Sequence, residues 1–105
     1  MSGKILLVDD IASNRIVLRV KLSSAFYSVS QASTVDEALV SAQSEPPDMV
    51  ILSAHLPENG ARRLISALRA TPGMSDLPVL AIAPPMTEAA RIALLELGVD
   101  DVLEK

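Results

Sequence analysis

Cysteine and tryptophan are absent from this 105-residue chain, and aromatic residues are reduced to one Phe and one Tyr. Without cysteine there is no disulfide scaffold and no thiolate metal site, and the redox compartment stays open. With so few rings, the core has to be built from Leu, Ile, Val and Ala. No apolar run approaches the ~20 residues a membrane span requires. The N-terminus, Met1-Ser2-Gly3-Lys4, leads at once into a strand-like run and has no signal-peptide architecture. Positive charge is scarce as well: nine basic against thirteen acidic residues give a net charge of −4, which argues against nucleic acid as the main partner because phosphate neutralisation needs a basic face. Half the residues are apolar, which excludes intrinsic disorder. The length fits one domain, and a chain of this size buries roughly two-thirds of its unfolded surface.

What is present is an alternation of periods. Lys4-Ile5-Leu6-Leu7-Val8, Met49-Val50-Ile51-Leu52 and Val79-Leu80-Ala81-Ile82-Ala83 are short continuous apolar runs, the pattern of strands buried on both faces. Tyr27 to Ala32 is a weaker strand, with Val29 flanked by serines, and suits a half-exposed edge. Val99 to Leu103 is the last strand. Between them the spacing is helical. Ala12 to Ser24 places Ile16, Val20 and Ser24 on one stripe with Val17 beside it, and turns Arg15, Arg19 and Lys21 outward. Thr34-Val35-Asp36-Glu37 fits a capping box that opens a helix to about Ser44, stopped by Pro46-Pro47. Ala61 to Ala70 carries Leu64, Ile65 and Leu68 on one side. Thr87 caps a helix bearing Ile92, Leu94, Leu95 and Leu97, and Gly98 sits where such a helix ends.

The order is therefore β-α-β-α-β-α-β-α-β, with no linker or internal repeat. Such alternation implies an α/β fold: a doubly wound parallel sheet with helices on both faces. Functional loops then lie at the carboxyl ends of the strands, beginning here at Asp9, Ala32, Ser53, Ala83 and Glu104. The sharpest feature there is Asp9-Asp10. Adjacent carboxylates repel each other and share a demand for positive charge, which a hard cation such as Mg²⁺ supplies. In isolation such a pair is more often a solvated acidic turn; after a central strand it points to a site. It also argues against a phosphate cradle, which needs glycines and amide N–H groups at that position.

Val8-Asp9-Asp10, the loop Leu56-Pro57 with Gly60, and Lys105 after Val102-Leu103-Glu104 together resemble the response-regulator receiver domain. The resemblance runs from Lys4 to Lys105. Ser13-Asn14-Arg15, Leu18 and Lys21-Leu22 look most like the first receiver of tandem-receiver diguanylate cyclases. The resemblance implies a flavodoxin-like (CheY-like) sheet of five strands in the order 2-1-3-4-5. It implies a module of cytoplasmic two-component signalling that is not itself an enzyme, attached to an output such as a diguanylate cyclase. It also implies a fifth helix beyond Lys105, so residues 1–105 are expected to be the N-terminal part of a larger signalling protein, cut before its last helix.

In the family a histidine kinase passes a phosphoryl group to an aspartate four residues before the loop proline. Counting back from Pro57 gives Ser53. A hydroxyl lacks the charge that completes a Mg²⁺ site and forms no acyl phosphate. Asp48 precedes the third strand and belongs at the opposite end of the sheet, and Glu58 lies beyond the proline. The family's switch hydroxyl aligns with Ala83, its switch ring with Val102, and the Pro57–Gly60 loop is one residue short. The resemblance is thus to a degenerate receiver, or pseudo-receiver, that works by contact with other receiver or output domains or with itself, through the Thr87–Leu97 helix and the last strand. No cofactor is expected. Mg²⁺ would bind weakly at Asp9 and Asp10, with the His55 backbone carbonyl facing the same position. Lys105, without an acceptor, is expected to form a salt bridge with Asp9 or Asp10. His55 as a cobalamin ligand is rejected, because Ser53 and Glu58 stand where an Asp and a Gly are needed. Two rivals stay open: a conventional receiver using another carboxylate, and a Mg²⁺-dependent phosphoryl enzyme of flavodoxin-like fold.

Overall fold

The structure is a computed structural model that describes residues 3–105; Met1 and Ser2, the start of the segment read above as carrying no signal, lie outside the described residues. The elements are β1 (Lys4–Val8), α1 (Ala12–Ser24), β2 (Ser28–Ala32), α2 (Val35–Ser44), β3 (Met49–Ser53), α3 (Gly60–Ala70), β4 (Val79–Ala83), α4 (Glu88–Leu97) and β5 (Asp101–Glu104). The five strands form one parallel sheet in the order β2-β1-β3-β4-β5. This is the α/β, flavodoxin-like arrangement expected from the sequence, with the polar strand β2 at an edge. The last strand starts two residues later than expected. Asp100 is held at the head of β4 instead: its N–H donates to the Val79 carbonyl at 2.8 Å, and its carboxylate accepts from the Val79 N–H at 2.7 Å.

Alternation along the strands divides the core in two. Leu6, Val8, Val50, Leu52, Val79, Ala81 and Val102 face α2, α3 and α4, whose Ala38, Ala42, Leu64, Ile65 and Leu68 are buried among them. Ile5, Leu7, Ile51 and Ile82 face the other way, against α1. Each fully buried Leu or Ile contributes about 1.5–3 kcal/mol, so the three-helix side carries most of the apolar stabilisation. On the α1 side two open apolar grooves flank the helix. One, of about 410 Å³, is lined by Val17, Leu18, Ile82 and Leu103; the other, of about 400 Å³, by Ile5, Leu22, Ile51 and Leu80.

Helix α1 turns the opposite way from the stripe read in the sequence. Leu18 and Leu22 pack on the sheet, Arg15 is half-buried, and Ile16, Val17 and Val20 are exposed. The helix is apolar on two sides, so periodicity alone does not select one. The longer leucines, four residues apart, reach into the sheet between Ile5, Leu7 and Ile51. The starts of α2 and α4 match their expected caps. Thr34 Oγ1 accepts from the Glu37 N–H at 3.1 Å, and Thr87 Oγ1 accepts from the Ala90 N–H at 3.2 Å. Glu37 closes its box one residue early, accepting from both the backbone N–H and the hydroxyl of Ser33. The Ser33 backbone bond, then the hydroxyl bond, holds the Glu37 carboxyl below its ordinary range. At the far end of α3, the Arg69 guanidinium donates to the carbonyls of Ser75, Leu77 and Gly98 at 3.0, 2.6 and 2.8 Å, tying together three chain segments that have no ladder between them.

Gly60 starts α3 where no side chain fits. A Cβ there would lie 2.7 Å from Leu56 Cβ and 3.3 Å from Val35 Cγ2. Gly60→Ala is therefore expected to destabilise the protein by about 1–3 kcal/mol despite alanine's better helix propensity, read as a lower urea midpoint. The orientation of α1 has its own test. Ile16→Ala is expected to change stability by less than about 0.5 kcal/mol, whereas Leu64→Ala in the core should cost about 2–5 kcal/mol. A large loss for Ile16→Ala in chemical denaturation would restore the stripe first read from the sequence.

Candidate functional site

The sheet places the candidate residues before any loop is considered. Val8 of β1 pairs with Leu52 of β3, so Asp9 and Ser53 leave neighbouring parallel strands at the same level. Ser53 pairs with Ile82, and Ala83 with Glu104, which carries Ala83 and Lys105 to the same carboxyl edge. The strand order reverses at β1 and β3, and there the connections diverge to opposite faces and open a crevice. Asp48 lies at the other end, its carboxylate accepting from the Lys4 N–H at 2.7 Å, as its place before β3 implied.

Among the described residues, Asp9 and Ser53 are the two buried polar ones, at 3% and 8% exposure. Asp10, the next residue along, is exposed. Asp9 is satisfied locally: its Oδ1 accepts from the Ile11 N–H at 2.9 Å, and its backbone N–H donates to the Ala32 carbonyl at 3.1 Å. Arg15 donates from Nη1 to the Asp9 backbone carbonyl at 2.6 Å. The Ser53 hydroxyl accepts from the His55 N–H at 3.2 Å, a turn that folds the chain back as it leaves β3. Among the described residues no buried side-chain polar atom lacks a partner. The loop that follows contains two consecutive residues, Glu58 and Asn59, in the left-handed region at φ 57°, immediately before Gly60. Left-handed backbone costs an L-residue roughly 1–2 kcal/mol, so the short Pro57–Gly60 connection is strained.

The expected salt bridge of Lys105 does not form. Among the described residues the ion pairs are Arg69–Asp100 and Arg91–Asp101, and Lys105 is exposed. The Lys105 backbone N–H is fixed to the Ala83 carbonyl at 2.8 Å, while one Asp9 oxygen is already taken by a loop amide. The residue that sequence reading missed is Arg15. It was turned outward with the wrong α1 stripe, and its signal is the spacing Asn14, Arg15, Leu18, Leu22, the half-buried face of the helix. Ala83 and Val102 are both buried, the latter among the residues facing α4.

These side chains fit a resident Mg²⁺ poorly. A hard divalent ion takes several oxygen ligands and gives up water reluctantly. Here the edge offers one buried carboxylate with an oxygen engaged, one solvated carboxylate and a hydroxyl. No group of three His, Cys, Asp or Glu side chains suited to a metal exists among the described residues.

Comparison with known proteins agrees with this architecture. The family model for the response regulator receiver domain matches residues 5–105. The chain belongs to the response-regulator receiver family. It is 35% identical over its full length to the alkaline phosphatase synthesis transcriptional regulatory protein PhoP of Bacillus subtilis, covering 43% of that protein. It is 34% identical, again over its full length, to the response regulator PleD of Caulobacter vibrioides, covering 23% of it. The chain thus spans less than half the length of these relatives. Among solved structures, the chemotaxis response regulator CheY4 of Vibrio cholerae superposes with a TM-score of 0.86 at 26% identity, over all of this chain and 88% of that one. The receiver domain of the sensor histidine kinase PA1611 of Pseudomonas aeruginosa, solved with magnesium in its active-site cleft, gives 0.88 at 26% identity, over 100% and 86%. The chain is a receiver domain of two-component signalling; receiver domains as a family interact with other proteins such as kinases and output domains. Among the described residues no helix is long and apolar enough to cross a membrane.

The donor set at the strand ends leads to a direct expectation. Calorimetric titration with MgCl₂ should show no site tighter than about 1 mM, because two carboxylates and bulk water compete poorly with full hydration. Sub-millimolar heat that disappears in Asp9→Asn would reverse that assessment.

Proposed function

We propose that this receiver acts without phosphorylation, as a pseudo-receiver that regulates an attached output by protein contact. One observation carries the reading: the chain leaves β3 with a hydroxyl, buried and bonded to the His55 N–H, beside an Asp9 carboxylate already held by its own loop. By the family resemblance Ser53 stands at the acceptor position. A serine there gives neither the third negative charge nor an acyl phosphate. Two further positions support the reading. Ala83 has no hydroxyl to bond a phosphoryl oxygen, and Val102 has no ring to reorient. Asp9, Asp10 and Lys105 are then remnants of the acceptor pocket.

The rival readings gain less support. Among other carboxylates, Asp48 is at the wrong end of the sheet. A phosphoryl enzyme would need a base beside Ser53, and the hydroxyl's partner is a backbone N–H, which donates and abstracts nothing. The contact surface in this proposal is α4 with β5. The output, of which a diguanylate cyclase is our favoured example, rests on the resemblance of Ser13–Leu22 alone; the cytoplasmic setting and a further helix after Lys105 rest on the family resemblance as a whole.

Reversal tests the proposal. Ser53→Asp would set a third carboxylate at the edge with Asp9 and Asp10. With acetyl phosphate and Mg²⁺, mass spectrometry should find phosphate on residue 53 of the variant and none on the natural protein. The conformational response should stay absent, because a ligand with equal contacts to two states shifts neither. Amide shifts along α4 should therefore barely move until Ala83→Thr is added. Aspartyl phosphate on the natural protein would overturn the proposal. So would a large phosphate-dependent shift in Ser53→Asp alone.

A further inference from the structure

Among the described residues, α1 and α4 each present adjacent exposed apolar side chains framed by charge, and the two are opposite in sign. On α1 the outward side presents Ile16, Val17 and Val20, each about half exposed, with exposed Arg19 and Lys21 on either flank. Helix α1 holds three basic residues and no acidic one. On α4 the outward side presents Ile92 and Leu95, at 45% and 38% exposure, with exposed Glu88 and Glu96 beside them. From Glu88 to Glu104 there are five acidic residues and one basic residue, Arg91, and that arginine is already spent on the Val102 carbonyl and Asp101. In a chain of net charge −4, α1 is thus a cationic apolar ridge, and α4 with the open edge of β5 an anionic apolar one. Contiguous exposed apolar side chains framed by charge mark contact surfaces. Opposite charge favours pairing of unlike faces and penalises pairing of like ones.

We propose that the receiver associates with a second copy of itself head to tail, the α1 ridge of one molecule seated on the α4–β5 ridge of the next. The two ridges lie on opposite faces of the sheet: α1 packs on the Ile5, Leu7 and Ile51 side, α4 on the Val79, Ala81 and Val102 side. One pair of molecules therefore leaves a free α1 at one end and a free α4 at the other. Such a heterologous contact extends into a chain, or closes into a ring if the rotation allows. A symmetric α4–α4 contact would set Glu88 and Glu96 of two copies against one another.

The inference shares with the functional reading only the use of the α4–β5 surface. A protein that takes up no phosphoryl group and stays monomeric removes the inference and leaves that reading standing; one that assembles head to tail yet is phosphorylated does the reverse. Sedimentation velocity decides the matter with two variants, Ile16→Glu/Val20→Glu on α1 and Ile92→Ser/Leu95→Ser on α4. Circular dichroism checks that both fold; Arg19→Glu/Lys21→Glu repeats the α1 arm without touching an apolar side chain. The natural protein is expected to gain mass beyond a dimer as its concentration rises. Association should weaken at least about tenfold when salt is raised from roughly 0.02 to 0.5 M, as the charged flanks are screened. Each variant alone should be monomeric, and an equimolar mixture should stop at a one-to-one dimer joined by the one intact face of each. Persistent self-association of either variant would mean a symmetric contact and overturn the inference. A natural protein monomeric to about 1 mM would do the same, since that bounds the contact below biological use. So would a monomer that instead binds phosphatidylglycerol vesicles through Ile16 and Val20.

Discussion

The parallel pairing of β1 with β3 is the constraint from which the rest of the functional edge follows. Because Val8 stands opposite Leu52, the residues that succeed them must emerge side by side, and the chain has no freedom to separate Asp9 from Ser53 without breaking the ladder. Both strands are buried on both faces, so a slip of one residue would exchange Leu6 and Val8 for Ile5 and Leu7 across the whole sheet. The register is therefore pinned by side-chain volume on two sides at once. A site built at the end of such strands inherits their rigidity. A hydroxyl at this strand end is compatible with the fold: Ser53 closes β3 with a local hydrogen bond above a filled core.

What does not inherit that rigidity is the periphery. Helix α4 buries no residue completely, and it meets the sheet through Leu94 and Leu97 and through Arg91 bridging to β5. Helix α1 likewise has no fully buried residue. Both helices hold their places with part of their apolar surface while showing the remainder to solvent. Helix α3 is the opposite case, with Leu64, Ile65 and Leu68 fully enclosed and Arg69 fastening its end. The molecule thus has a fully enclosed centre and two helices, α1 and α4, that are only partly buried. The least enclosed elements are therefore the two helices that also show most apolar surface to solvent.

Most of the fold was legible in the sequence, for a physical reason. Strands buried on both faces need continuous apolar runs, and Lys4–Val8, Met49–Leu52 and Val79–Ala83 are such runs with turn chemistry at each end. The caps at Thr34 and Thr87 and the stop at Gly98 are local interactions, set by residues within one turn of each other. Helix α1 was not legible in the same way. Ile16, Val17 and Val20 compete with Leu18 and Leu22 for the role of core stripe, and the choice depends on the depth of the sheet surface, which no window of α1 contains. Arg15 was lost with it. The start of β5 slipped because Asp100 bonds to Val79 across the fold, a long-range contact that local pattern does not record.

The candidate site divides along the same line. Positions were legible, because they follow from strand ends; pairings were not. Lys105 and Asp9 lie at one edge, and charge alone would join them. Yet burial of Asp9 requires a partner that is present wherever its loop is present, and the Ile11 amide two residues away meets that need at almost no entropic cost. A lysine side chain would have to give up its rotamer freedom and hydration to compete. Coulomb attraction between the two is long in range and weak in water, whereas the amide bond is short, local and already organised by the turn. The local bond wins, leaving Lys105 in solvent and Asp9 held by the backbone. In this receiver the Lys105 charge does not hold Asp9 in place; the amide of its own loop does.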